Sequence, residues 1–239
     1  MREFGPMYFF DCDIRMNVLA GLDIEYDTYS DPKPEFPTGF DKIMAKLDIL
    51  HKNNPYTTVV LDGLTTLVPL VMNASVEAVN QAMTNKRVGK TVPNLPDYNA
   101  FKHFMDKLLL KFCSLKCHTV LTGHEVTDKD DISQRVFRNV ACPGKAGDLL
   151  PGYFNEVWRM EVGEEAVPGK QGVYQETFKV RTRPTSVVSA RTSYPKALGI
   201  LEPASVPEMY AKINAWLQSN HSQAIAEATH EAIKTQTIK

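Results

Sequence analysis

The sequence predicts an α/β fold with an open, mainly parallel central sheet flanked by helices. Three observations carry this. Apolar, β-branched runs of strand length alternate with longer segments of helical periodicity. Each such run ends in polar or acidic residues. Strands that read as continuous apolar runs are those buried on both faces, as in parallel sheets covered by helices.

The first element is Pro6-Met7-Tyr8-Phe9-Phe10-Asp11-Cys12-Asp13, a buried strand ending in acids. Residues 14–37 carry Pro32, Pro34 and Pro37 and read as irregular. Thr38 to Asp41 reads as a variant capping box. Phe40, Ile43, Met44, Leu47 and Leu50 then follow at helical spacing up to Asn53-Asn54-Pro55. Thr57-Thr58-Val59-Val60-Leu61-Asp62 is the second strand. The helical pattern from Leu64 to Met83 follows it, with Pro69 in its early turns. Residues 84–97 read as a loop carrying Lys86, Arg87 and Lys90. Tyr98 to Leu115 is an amphipathic helix with Phe101, Phe104, Met105, Leu108, Leu109 and Phe112 on one stripe, which reads as core.

Lys116 to Glu125 reads as a third strand with a polar end at Thr122, His124 and Glu125. A charged loop from Asp128 to Gln134 and strands at Arg135–Ala141, Phe154–Val162 and Glu176–Arg183 follow. Pro207 opens a last amphipathic helix. The predicted organisation is a core over 1–203, a helix over 204–220 and a flexible or helical tail over 221–239.

The bulk composition excludes several classes. With 43% hydrophobic residues, 23% charged residues and a net charge of -1, the chain has ordinary globular composition and no global basic footprint. Cys12, Cys113, Cys117 and Cys142 form no CxxC pair, and no signal peptide is evident, so reduced thiols in a cytoplasm-like compartment are expected. No apolar run approaches the ~20 residues of a membrane span.

In a parallel sheet, ligands bind beyond the carboxyl ends of the strands. Asp11, Asp13, Asp62, Thr122, His124 and Glu125 are all expected on that rim. Two readings stand for each. Asp62 is a metal ligand or a cap for the helix behind it. Asp13 is a general base or a loop acid, with Asp11 competing for the role. His124 is a polar group of the rim or a buried, hydrogen-bonded histidine. Lys86, Arg87 and Lys90, with Arg135 and Arg138, form a phosphate-facing strip or a solvated surface; aromatic stacking partners are scarce there.

With these residues in order, residues 6–200 resemble the RecA-like P-loop ATPases, and among them phage-encoded AAA-type ATP-binding proteins related to single-strand annealing recombinases. Val59 to Leu67 is similar to the Walker B strand, with Asp62 at the Mg²⁺ position. Met7 to Asp13 resembles the strand whose last acid polarises the attacking water. Val120 to Glu125 resembles the strand that senses the γ-phosphate through Thr122 or His124. The segment from Pro143-Gly144-Lys145 to Arg159 resembles the stretch after a DNA-facing loop, which makes Lys145 a phosphate or DNA contact or a solvated loop lysine.

The resemblance implies ATP and Mg²⁺ as cofactors, single-stranded DNA as partner, a ring or filament of identical copies, and the cytoplasm, of a host if the chain is phage-encoded. The departure lies in the G-x-x-x-x-G-K-[ST] loop. Gly89-Lys90-Thr91 has Thr84 at the first-glycine position and Pro93 behind it, and Gly144-Lys145 has Asn139 and Ala146 where the motif needs Gly and Ser or Thr. The core is therefore expected without its P-loop strand and helix. An ATPase and a P-loop-less pseudo-ATPase binding DNA or protein both follow, with an unrelated α/β enzyme using the acidic rim for a metal as the third option.

Overall fold

The structure is a computed structural model that describes residues 5–19, 21–22, 24–84, 87, 92–129, 134, 136–144, 146–166, 172 and 174–220. The chain divides into two compact units, Met1–Phe154 and Asn155–Lys239.

The first unit is built on a parallel sheet of four strands: β1 (Met7–Asp11), β2 (Glu25–Thr28), β3 (Thr58–Asp62) and β4 (His118–Leu121), in the order β2-β1-β3-β4. This is the predicted fold class. β1 is buried along its whole length because both faces are covered. Tyr8, Phe10, Val59 and Leu61 pack on α1 (Gly39–Lys52), α2 (Leu64–Ala82) and α3 (Leu95–Cys113). Met7, Phe9 and Val60 meet Met16, Leu19 and Ile24 on the opposite face.

Several expectations need correction. Residues 14–37 contain a 3-10 turn at Met16–Leu19 and the edge strand β2. Every residue of β2 is exposed, so it carries no hydrophobic signature. Tethers hold it instead: Asp27 accepts hydrogen bonds from Tyr8 at 2.7 Å and Lys46 at 3.0 Å, and Tyr56 donates to Glu25 at 2.5 Å. Thr38 makes no side-chain cap on α1. Asp31 does that work from outside the helix, accepting the N–H groups of Thr38 at 2.9 Å and Gly39 at 2.7 Å.

Helix α3 begins at Leu95 rather than Tyr98, because Asp97 accepts the Asn94 N–H at 2.8 Å and closes a cap. The stretch read as one strand to Glu125 breaks after Leu121. β5 (Glu125–Lys129) then pairs antiparallel with β6 (Val136–Val140), so the first residues of the expected charged loop, Asp128 and Lys129, are strand. A short helix, α4 (Ala146–Leu149), follows.

The second unit holds an antiparallel sheet of β7 (Arg159–Ala166), β8 (Tyr174–Arg181) and β9 (Leu201–Pro203). The strand expected over Phe154–Val162 starts only at Arg159. A helix over 206–220, α5, packs through Met209 and Ile213 on Val180 and Leu198. Among the described residues, no helix is long and apolar enough to cross a membrane.

Candidate functional site

The carboxyl ends of β1, β3 and β4 lie side by side, with Asp11 in register with Asp62. The ladder runs on past the strands. Cys12 donates its N–H to the Asp62 carbonyl at 2.8 Å, and Thr122 donates to the Leu61 carbonyl at 3.2 Å. Backbone pairing thus fixes the residues just beyond the strand ends, where the side chains of interest begin.

Asp11 is almost completely buried, and both of its carboxylate oxygens are engaged. Oδ1 accepts the Arg15 N–H and Oδ2 accepts the Thr28 hydroxyl, each at 3.2 Å. It ties the turn after β1 to the edge strand. Asp13 is different. It is half-buried, its Oδ1 accepts the Thr66 hydroxyl, and its Oδ2 has no hydrogen bond among the described residues. The next residue, Ile14, has φ 58°, a left-handed conformation rare for a β-branched side chain. Such conformations cost about 1–3 kcal/mol and persist where surrounding contacts enforce them. Here the Arg15 N–H to Asp11 bond closes the turn that aims Asp13 at the start of α2.

Gly63 receives it. Its φ of 118° belongs to glycine, and a Cβ built there would lie 2.1 Å from Asp13 Oδ1. The carboxylate of Asp13 therefore rests directly on the backbone between Asp62 and α2. That helix has neither a side-chain cap nor an acid in its first turn, so its N-terminal partial positive charge faces Asp13. Asp62 repeats the pattern of Asp13. Its Oδ1 accepts the Thr122 hydroxyl at 2.5 Å, and its other oxygen has no hydrogen bond among the described residues. Thr122 also accepts the Leu64 N–H through its carbonyl at 2.8 Å, joining β4 to the start of α2.

The thiol of Cys12 lies under these acids. Burial pushes the Cys12 thiol up to about 12, and the negative charges of Asp11, Asp13 and Asp62 push the same way. Cys12 is accordingly an inert thiol under the rim. Burial likewise raises Cys142, to about 11.

The remaining expected residues separate from this cluster. His124 lies exposed in the turn between β4 and β5, where its carbonyl accepts the Ala141 N–H at 2.9 Å. Its ring makes no hydrogen bond to Asp13, Asp62 or Thr122 among the described residues. Glu125 opens β5 and is exposed. Arg87 is spent within the fold: its guanidinium makes a two-pronged ion pair with fully buried Asp97, at 2.6 and 2.8 Å. Arg138 is exposed on β6. Lys86, Lys90, Arg135 and Lys145 lie outside the described residues. The residue that sequence reasoning missed is Thr66. It was legible only as one of several hydroxyl residues opening a helix.

Two half-exposed carboxylates, each pinned through one oxygen by a threonine, thus sit at the carboxyl edge of a parallel sheet beside a helix N-terminus. That edge is where open α/β sheets bind their ligands. The sequence model of a family described as an AAA domain matches residues 1–194, most of the chain, and the chain belongs to that family. No curated protein matches it.

Proposed function

We propose that this protein binds ATP with Mg²⁺ at the ends of β1, β3 and β4 and hydrolyses it, with Asp62 facing the metal and Asp13 orienting the attacking water. The observation that carries the reading is the contrast among the three acids. Asp11 has both oxygens consumed, whereas Asp13 and Asp62 each keep one unbonded. A metal ligand and a proton acceptor both need a held carboxylate with an open oxygen.

The donor set fits Mg²⁺. The cation takes oxygen ligands, and in phosphate-transferring sites one or two carboxylates suffice because phosphates and water fill the rest of its shell. Asp62, steadied by Thr122, would hold it. When bound, Mg²⁺ neutralises charge on the phosphate oxygens. Asp13 lies two residues beyond its strand, seated on Gly63. From there it can accept a proton from water through Oδ2, while Thr66 holds Oδ1.

A role on single-stranded DNA has less behind it. Of the five basic residues expected on a DNA-facing strip, Arg87 is committed to Asp97 and Arg138 is exposed, while Lys86, Lys90 and Arg135 lie outside the described residues. The test is binding of a fluorescent ATP analogue with Mg²⁺ to the chain and to Asp62→Ala. Micromolar binding that is lost in the variant supports the reading, and no binding by the native chain overturns it.

A further inference from the structure

Thr66 has one hydroxyl proton and two acceptors in reach: Asp13 Oδ1, and the Gly63 carbonyl at 2.9 Å. A hydroxyl donates once and accepts twice, so the proton must choose. Hydrogen bonds to an ionised carboxylate are roughly twice as strong as neutral ones. With Asp13 ionised the proton belongs to Asp13, and with Asp13 neutral the Gly63 carbonyl competes for it.

From this geometry we infer that Thr66 is the positioning residue of Asp13, holding its ionised carboxylate in one rotamer as it meets the proton it takes. The inference rests on the hydrolytic reading of the site. In the step it serves, the water oxygen bonds to the γ-phosphorus as the bond from that phosphorus to the bridging oxygen of ADP breaks. The water proton passes to Asp13 Oδ2 and afterwards returns to solvent. No oxidant or further reactant is needed. Once Asp13 is neutral, the Thr66 hydroxyl can turn to the Gly63 carbonyl by a rotation about one bond, so it keeps an acceptor as the charge on Asp13 disappears.

Three features tie the threonine to Asp13 rather than to helix capping alone. Thr66 stands 53 residues from Asp13 in sequence, so the contact is tertiary. Gly63 lacks the Cβ that would push the Asp13 carboxylate from this place. Asp13 Oδ2, the oxygen that would meet water, is the one Thr66 leaves open.

The test is steady-state ATP hydrolysis by the whole chain, with native Thr66, Thr66→Val and Thr66→Ser, each with and without Asp13→Asn. Val keeps the shape and removes the hydroxyl, whereas Ser keeps the hydroxyl. Misplacing a catalytic group by about 1 Å costs about 100-fold. The expected result is therefore a loss in kcat of about 10- to 100-fold for Thr66→Val, with KM, nucleotide affinity and melting temperature nearly unchanged. Thr66→Ser recovers most of the rate, and Thr66→Val adds no further loss on the Asp13→Asn background, since residues acting as a unit are non-additive. A Thr66→Val variant that loses only melting temperature, or that slows Asp13→Asn further by the same factor, overturns the inference and leaves the hydrolytic reading standing. A native chain that binds Mg²⁺-ATP but never hydrolyses it overturns the inference and the hydrolytic half of the reading. One that does not bind ATP at all overturns both entirely.

Discussion

Gly63 is the residue on which the acidic edge turns. Its φ of 118° and the space where its Cβ would stand are both used, the second by the Asp13 carboxylate. Gly63→Ala must strain the backbone and also displace Asp13. The expected cost is more than about 1 kcal/mol in chemical denaturation, with loss of any hydrolysis. Unchanged stability would mean that the turn relaxes freely.

At this scale the sequence was partly readable. Asp13, Asp62 and Thr122 could be found because each follows an apolar run whose end must reach one edge of a parallel sheet. Choosing Asp13 over Asp11 could not be done that way. The choice depends on Thr28 and the Arg15 N–H filling both oxygens of Asp11, and those contacts exist only after the edge strand has paired. Thr66 was hidden for the same reason, since its partner lies far away in the chain.

The elements differ in how plainly they announce themselves. β3 has buried residues from Thr58 to Leu61 and could be read directly. Leu61, fully buried against the helices, supports Asp62 from the preceding position. Leu61→Ala should cost about 2–5 kcal/mol in urea denaturation through the cavity it leaves. A change well below that would mean the strand end is loosely packed. β2 was invisible because hydrogen bonds from Tyr8, Tyr56 and Lys46 hold it, and no buried apolar stripe does. The start of α3 was misplaced because Asp97 looked like a loop acid, while Arg87 looked like a surface cation. Together they make a buried clasp at the base of the α2–α3 connection. A basic residue in a loop-like stretch is an ambiguous sign until its partner is known.

At the scale of the whole molecule, the carboxyls shifted from their ordinary values among the described residues are all held low. The Arg87 guanidinium holds the Asp97 carboxyl below its usual value of 3.8. The Tyr8 hydroxyl does the same for Asp27, and Arg181 for Glu161. A depressed carboxyl contributes stability above its unfolded value and loses it as pH falls through the folded one. The melting temperature should therefore drop on acidification below about pH 4. Asp97→Asn should be less stable at neutral pH and flatter in that window. An Asn variant with the same acid limb as the native chain would show that the clasp contributes little to it.

The fold, the family and the two threonine-held carboxylates meet in one place, and the account stands on their division of labour. It is tested most directly by calorimetric binding of Mg²⁺-ATP alongside single-turnover hydrolysis for Asp62→Asn, Asp13→Asn and Asp11→Asn. The account predicts that Asp62→Asn loses binding, that Asp13→Asn binds normally but loses about 100-fold or more in turnover, and that Asp11→Asn loses mainly stability. Normal turnover in Asp13→Asn, or normal binding in Asp62→Asn, would contradict it.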